Sequence, residues 1–313
     1  MTSCPHGHGP MTAGAGFAVC LTCGAQVRSE SEPDSEFEGL IQALPHVLAV
    51  AVDDYARAAR ESGYVRLHRL TDAVETATRF CTIVALADVH DDLRGFPPAV
   101  EQQLGLSLER PTFGAWRHLL GGVVRSRSPS EGWIVRNFRP WILDSVLPFL
   151  DTVIALRNVL AHSGRLTLAD ERSFLGKFPP LFSGFVTELA AAFADVQVVA
   201  RLSDGPAYRL HGAPGPGVPF PVFELGEGHA SNFQAGQDRL LLLGGGRALN
   251  LFPLHAYGDV FQQSDARAAP GGKGKGQKPA FERLDDASPS GLLYFRRGAK
   301  AYLEYTAFNP HTA

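Results

Sequence analysis

The spacing of apolar residues predicts helices through the middle of the chain. Between positions 65 and 87, apolar side chains recur three or four residues apart, which places them along one face of a helix. The residues of this stripe are Leu67, Leu70, Val74, Ala77, Cys81 and Val84. An earlier helical stretch over 38–61 is expected to break near Pro45, because proline cannot donate the hydrogen bond that continues a helix.

Two more helical patterns follow. One runs over 141–160, with a kink expected at Pro148. The next starts after Thr167, whose hydroxyl can cap the first turn, and extends to about Ala200. A break in this last helix is expected at 179–180, where two prolines are adjacent.

After about residue 200, the pattern of apolar residues becomes typical of short strands. The segments 239–243 and 247–252 flank three consecutive glycines, which is typical of a β-hairpin. The segments 292–297 and 299–305 flank a single glycine and predict a second hairpin. Between the two hairpins, residues 264–290 are poor in apolar side chains, which predicts a mobile loop.

Composition narrows the class of protein. Of the 313 residues, 45% are hydrophobic and 19% are charged, as in a soluble globular protein. The formal net charge of -3 argues against a wholly basic nucleic-acid binder, so any RNA contact is expected to be local. No apolar run approaches the roughly 20 residues of a membrane span. The N-terminus lacks the features of a secretion signal, and we expect a cytoplasmic protein with no membrane partner.

The cysteines indicate a zinc site near the N-terminus. Cys20 and Cys23 form a C-x-x-C pair followed by glycine, which is one half of a zinc-ribbon-like site. Cys4 supplies a third ligand, and either His8 or His6 supplies the fourth. Four protein ligands complete a tetrahedral zinc ion, so the predicted role of the cofactor is structural. The alternative interpretation is a tail with incidental cysteines.

These features predict a multi-domain protein with four consecutive parts. A zinc-ribbon-like segment over 1–26 precedes an acidic linker over 27–37, in which carboxylates alternate with serines. The main part is an all-α helical bundle over 38–200. A small antiparallel β domain over 201–313 contains the loop at about 264–290.

The strongest candidate site lies at the end of the helix predicted over 141–160, in the sequence RNVLAH. Asn158 and His162 are four residues apart and share a helical face, and the long side chain of Arg157 lies beside them. A guanidinium can hold two oxygens of a phosphate. An imidazole can accept a proton from a ribose 2′-hydroxyl and return one to the leaving 5′-oxygen. The set therefore indicates metal-independent cleavage of RNA.

The R-N-x-x-x-H sequence, at the end of an apolar helix within 38–200, resembles the signature of HEPN domains. The resemblance implies an endoribonuclease in which His162 is the general acid and base, Arg157 clamps the phosphate and Asn158 orients the reacting groups. It also implies a homodimer in which two copies share one cleft. Members of the family that cleave RNA to a 2′,3′-cyclic phosphate are common among toxins and antiphage-defence effectors, and a protein partner or antitoxin is a further expectation. Other members are inactive, so the alternative is a non-catalytic interaction or sensor module of a larger defence or signalling assembly.

Three further interpretations concern these and other polar residues of the helical segment. Arg157 and His162 could instead cap helix carbonyls or pair with Asp151 or Asp170. The run His90-Asp91-Asp92 could bind a metal, although a solvated helix end is the favoured interpretation. A group of arginines in the helical segment predicts a local RNA-facing patch; its members are Arg117, Arg125, Arg127, Arg136 and Arg139.

Overall fold

The computed structural model resolves the chain into two compact units, each built from three segments. The first unit comprises residues 1–73, 156–191 and 211–220, and the second comprises 74–155, 192–210 and 221–313. The residues that the structure describes are 7–9, 12–13, 17–19, 26–28, 36–93, 96, 98–100, 112–128, 132–162, 166–201, 207–213, 220–224, 239–251, 256–257, 281–283, 290–291 and 293–295.

Most of the described chain is helical, in agreement with the sequence pattern. The helices are α1 (Glu38–Ala43), α2 (His46–Arg57), α3 (Gly63–Leu93), α4 (Phe113–Ser126), α5 (Leu147–His162) and α6 (Leu168–Phe193). A 3₁₀ turn over Ala58–Arg60 follows α2, and a helical turn (Phe138–Pro140) and a π-helix (Trp141–Val146) lead into α5. Within the described residues, no helix combines the length and the apolarity of a membrane span.

Short antiparallel strands make up the remaining regular structure. An N-terminal sheet has the order β1 (Thr12–Ala13), β2 (Phe17–Val19), β3 (Gln26–Arg28). A five-stranded sheet toward the C-terminal side has the order β6-β5-β4-β7-β8. Its strands are β4 (Val196–Arg201), β5 (Ala207–Arg209), β6 (Val222–Phe223), β7 (Arg239–Gly244) and β8 (Arg247–Asn250). Two further pairs join β9 (Ala256–Tyr257) to β11 (Ser290–Gly291) and β10 (Phe281–Arg283) to β12 (Leu293–Phe295).

Several sequence predictions are confirmed at the level of single residues. Pro45 separates α1 from α2, and Thr167 caps α6 by accepting a hydrogen bond from the backbone N–H of Asp170 at 3.1 Å. Every member of the stripe predicted over 65–87 is buried in α3. Cys81 is one of them, and burial raises the pKa of its thiol.

The glycine hairpin is confirmed as well. Gly244 pairs with Arg247, and the two-residue loop of Gly245 and Gly246 has positive φ at both positions, the arrangement that glycine favours. The second predicted hairpin is described only in part. Leu293–Phe295 is a strand that pairs with Phe281–Arg283, and residues 299–305 lie outside the described residues.

Two predictions about α6 are wrong. The helix continues through Pro179 and Pro180, because the flanking Phe178 and Phe182 are buried and their packing outweighs the two missing backbone donors. It also ends at Phe193 instead of reaching Ala200. The valine-rich segment that follows forms β4, which pairs with β5 on one side and β7 on the other.

In the first unit, three aromatic rings hold helices together. Tyr55 of α2 packs against Phe182 of α6, with ring centroids 4.4 Å apart. Phe37, the last residue of the predicted linker, packs against Tyr55 at 5.7 Å and is 1% exposed. The guanidinium carbon of Arg66 lies over the Tyr55 ring, 5.3 Å from its centroid.

Residues 211–213 and Phe220 lie at the junction of α1 and α2. The backbone N–H of Gly212 donates to the carbonyl of Leu44 at 2.9 Å. Nδ1 of the buried His46 lies 2.7 Å from the carbonyl oxygen of Gly212. The His46 ring also packs edge-on against Phe220. These residues therefore satisfy the polar groups that the break at Pro45 leaves at the helix ends.

In the second unit, the central strands of the five-stranded sheet are apolar on both faces. Val196, Val198, Val199 and Ala200 of β4 are buried, and so are the four consecutive leucines of β7. A Cβ at Gly244 would lie 3.3 Å from the carbonyl oxygen of Ile134. The turn end of the β7–β8 hairpin therefore approaches the backbone that leads into the π-helix.

A buried carboxylate connects the elements of the second unit. Asp88 of α3 is fully buried. Its Oδ2 accepts a hydrogen bond from the backbone N–H of Ile134 at 2.7 Å. Its Oδ1 forms ion pairs with Arg127 at 3.0 Å and with Arg247 at 2.9 Å. One carboxylate thus links α3 to the end of α4, to the segment before the π-helix and to β8.

We predict that Asp88→Asn lowers the free energy of unfolding by about 3–5 kcal/mol, because it leaves the buried Arg127 guanidinium without its counter-charge. Urea denaturation followed by circular dichroism measures the change. Asp91→Asn is the matched control: Asp91 is exposed and also pairs with Arg247, and its loss is expected to change stability by less than about 1 kcal/mol. Equal effects of the two substitutions would contradict the role assigned to Asp88.

Candidate functional site

The RNVLAH sequence occupies the last turn and a half of α5. This helix buries one stripe, formed by Leu150, Val153, Leu156 and Leu160. The residues between these anchors face away from the core. The helix that carries the motif is therefore held by its apolar side, and most of the polar motif residues are on the other side.

The three candidate catalytic residues differ in exposure. Asn158 and His162 are exposed, whereas Arg157 is half-buried. None of the three makes a side-chain hydrogen bond or ion pair with another residue in the described ranges. The two carboxylates that were weighed as partners have other contacts. Asp151 binds Arg117 at 2.6 Å, and Asp170 accepts a hydrogen bond from Thr167 at 2.6 Å.

Helical geometry brings two of these residues together and separates the third. Asn158 and His162 are one turn apart and differ by about 40° around the axis. Arg157 and His162 differ by about 140° around the axis and by about 7.5 Å along it. Within one helix, the amide and the imidazole thus share a face, while the guanidinium emerges on a different side.

The start of α3 contacts the motif helix through residues that the sequence analysis did not select. The hydroxyl of Tyr64 donates to the carbonyl of Leu160 at 3.4 Å. This carbonyl is one of the last four of α5, which have no partner in their own helix. The ring of His68 packs edge-on against Tyr64, with centroids 4.5 Å apart. The signal for this pair was the i, i+4 spacing of two aromatic residues in a predicted helix.

The first turn of α6 also lies close to α3. A Cβ at Gly63 would lie 2.2 Å from Oε1 of Glu171, so a larger residue there would displace the Glu171 side chain. The carboxylate of Glu171 thus lies beside the start of α3. Asp170 is used in the cap with Thr167.

Most arginines of the predicted patch form ion pairs or hydrogen bonds within the fold. Arg127 is 4% exposed and pairs with Asp88, and Arg139 donates to the carbonyl of Val124 at 2.7 Å. Arg117 pairs with Asp151. Arg125 and Arg136 are the exposed members of the group. Sequence alone does not distinguish these uses, because the partner that holds a buried arginine is distant in the chain, as Asp88 is from Arg127.

The predicted metal ligands lie mainly outside the described residues. This is true of Cys4, His6, Cys20 and Cys23, whereas His8 is described and exposed. Among the residues with described positions, no three His, Cys, Asp or Glu side chains form a group suited to a metal ion. In the run His90-Asp91-Asp92, His90 is 8% exposed and packs against Phe96, and Asp91 pairs with Arg247.

No protein-family model, no curated protein and no solved structure matches this chain.

We predict that diethyl pyrocarbonate modifies His162 much faster than His46 or His90, because the reagent needs access to a ring nitrogen. His162 is exposed, whereas His46 and His90 are 6% and 8% exposed. Peptide mapping by mass spectrometry over a time course measures the three rates in one sample. The exposed His118 serves as the internal reference for an accessible imidazole. Protection of His162 to the level of His46 would contradict the described exposure.

Proposed function

We propose that the protein is a metal-independent endoribonuclease of HEPN type, acting in antiphage defence or as a toxin. The observation that carries this proposal is the exposure of the polar residues in the RNVLAH sequence and their lack of partners among the described residues. Asn158 and His162 are exposed and Arg157 is half-buried at the end of a firmly packed helix. Their side chains make no hydrogen bond or ion pair with the residues that the structure describes. Charged groups with a purely structural role in this protein, such as Arg127, are paired.

The proposed reaction is an internal transfer of the phosphoryl group. A neutral imidazole of His162 accepts the proton of the ribose 2′-hydroxyl as the 2′-oxygen forms a bond to phosphorus. The bond between phosphorus and the 5′-oxygen breaks, and this oxygen takes a proton from an imidazolium. The products are a 2′,3′-cyclic phosphate and a 5′-hydroxyl. Arg157 stabilises the charge on the non-bridging oxygens, and the amide of Asn158 orients the imidazole or the phosphate.

Geometry favours a site that two copies share. In an in-line displacement, the entering and leaving oxygens lie on opposite sides of phosphorus. One imidazole does not reach both sides easily, and Arg157 and His162 of one helix diverge by about 140°. A homodimer that brings two motifs to one cleft supplies an imidazole for each oxygen. It also supplies a guanidinium from one copy opposite the imidazole of the other.

The alternative function is a non-catalytic interaction or sensor module within a larger assembly. Two exposed apolar side chains near the motif favour it: Val159 is 38% exposed and Leu168 is 73% exposed. Such residues are suited to contact with a protein partner. A second copy of the chain would cover the same residues, so catalysis distinguishes the two functions better than binding does.

We predict that the purified protein cleaves single-stranded RNA in excess EDTA and leaves 2′,3′-cyclic phosphate ends, which mass spectrometry detects. His162→Ala should lower the rate by about 10²–10⁴-fold, because it removes the proton carrier. Arg157→Ala should lower it by roughly 10²–10³-fold, because it removes a donor to the developing charge. The matched controls are His118→Ala and Arg172→Ala, which replace exposed residues outside the motif and should retain full activity.

Mixing the two inactive variants tests the shared site. If Arg157 and His162 act across two copies, a heterodimer of Arg157→Ala and His162→Ala contains one intact pair and regains part of the activity. If both act within one chain, the mixture remains inactive. Folded wild-type protein that leaves RNA intact would exclude the enzyme and favour the interaction module.

We further propose that the N-terminal segment holds a structural zinc ion through Cys4, Cys20, Cys23 and either His8 or His6. The support from the described residues is the pairing of β2 with β3, in which Val19 lies opposite Gln26. The C-x-x-C pair belongs to the short segment that joins these two strands. Thiolate and imidazole donors match the preference of zinc, which would stabilise a small segment with little apolar content.

We predict about one zinc ion per chain by inductively coupled plasma mass spectrometry. The double variant Cys20→Ser/Cys23→Ser should lose the metal, because it removes two of the four ligands. Cys81→Ala is the matched control, since this cysteine is buried in α3 and should not affect metal content. Metal-free wild-type protein, or loss of zinc from the control alone, would contradict the assignment.

A further inference from the structure

The second unit contains a cavity at the start of the π-helix. Its volume is about 500 Å³, within the range of small-molecule sites. Its lining includes Trp133, Asn137, Phe138, Arg139 and Asp144. The lining combines aromatic rings with a carboxylate, an amide and a guanidinium. Such a wall suits a flat polar ligand better than an aliphatic one.

The aromatic side of the cavity is held rigidly. The Trp133 ring is half-buried, and the guanidinium carbon of Arg127 lies 4.7 Å from its centroid. The buried ring of Phe138 supports Trp133 at a centroid distance of 5.3 Å. Arg127 is itself fixed by Asp88. A base that stacks on the accessible part of this indole meets a surface that is already ordered.

The polar side of the cavity has unused hydrogen-bonding capacity. The side chains of Asn137 and Asp144 are exposed and make no hydrogen bond or ion pair with the residues that the structure describes. Asn137 adopts a left-handed conformation with φ of 56°, which is uncommon outside glycine. Arg139 uses one terminal nitrogen to hold the carbonyl of Val124, so its guanidinium is anchored in the wall.

The π-helix carries part of this polar lining. Pro148 has no N–H to donate to the carbonyl of Asp144, and the chain before it adopts the wider π-turn. Asn137 directly precedes the helical turn Phe138–Pro140, and Asp144 lies within the π-helix. The cavity thus combines an acceptor, the Asp144 carboxylate, with donors from Asn137 and Arg139.

We propose that this cavity binds a guanine base. The Watson–Crick edge of guanine carries two adjacent donors, N1–H and the N2 amino group, which a single carboxylate such as Asp144 accepts together. Adenine, cytosine and uracil do not present two adjacent donor atoms at that edge. The opposite edge of guanine carries the acceptors O6 and N7, which suit the amide of Asn137 and the guanidinium of Arg139. The base stacks on Trp133.

The guanine can belong to a free nucleotide or to a strand of RNA, and the exposed Arg136 beside Asn137 suits a phosphate in either case. The site does not depend on the proposed ribonuclease activity. Binding is therefore measured in the full chain carrying His162→Ala, which keeps RNA intact during the experiment. Failure of the cavity proposal leaves the cleavage assay unaffected, and the reverse also holds.

Isothermal titration calorimetry with GMP, AMP, CMP and UMP tests the proposal. We expect GMP to bind at least about fivefold more tightly than the other three, because one bidentate pair contributes about 5- to 150-fold in discrimination. Asp144→Asn should abolish the preference, since its amide places a donor against the donors of guanine. Asn137→Gly should weaken GMP several-fold, because glycine keeps the left-handed backbone and removes only the amide. Asp195→Asn, an exposed carboxylate outside the cavity, should bind as the parent does.

A nine-nucleotide RNA with one guanine, compared with the same RNA carrying adenine there, distinguishes the two sources. Binding of GMP supports a nucleotide site. Binding of only the guanine-containing strand, with loss in Asp144→Asn, supports a site for guanine within RNA. Equal affinity for all four nucleotides, a preference retained in Asp144→Asn, or no binding of GMP and of either RNA at millimolar concentration overturns the proposal.

Discussion

The second unit depends on one buried charge, the carboxylate of Asp88. A carboxylate with no exposure to solvent is stable only when opposite charge and hydrogen-bond donors replace its water. Arg127, Arg247 and the N–H of Ile134 do so, and each comes from a different part of the chain. The same contacts that neutralise Asp88 therefore fix the end of α4, the segment around Trp133 and the β7–β8 hairpin. The wall of the guanine cavity is a consequence, since Trp133 stacks on the arginine that Asp88 holds.

Some arginines of this protein stabilise the fold, whereas others remain available to bind a ligand. Arg127 is buried and paired with the carboxylate of Asp88, so its positive charge is neutralised within the fold. Arg157 has no such contact in the described ranges and lies at the end of a helix whose apolar face is well buried. Charge that is not used to stabilise the fold is available for a phosphate. This contrast supports the proposed role of the RNVLAH sequence more than its composition does.

Local patterns predicted much of the helical structure because their causes are local. The apolar spacing of α3, the cap at Thr167 and the break at Pro45 each depend on residues within one or two turns. The prediction failed where distant packing opposed a local preference. Pro179 and Pro180 remain within α6 because neighbouring phenylalanines are buried, and the valines from Val196 onward form a strand because partners on both sides pair with them.

Residue type and spacing alone established the candidate catalytic set, since Asn158 and His162 share a face in any helix that contains them. The amino-acid order likewise established the apolar stripe of α3 and the glycine turn between β7 and β8. Exposure, pairing and the cavity depend on which segments meet in space, because burial and ion pairing arise between residues far apart in the chain. Asp88 and Ile134 are 46 positions apart, and Asp91 and Arg247 are 156 apart. No periodicity along the chain encodes such contacts, so only the folded arrangement separates a structural arginine from one that is available to a ligand.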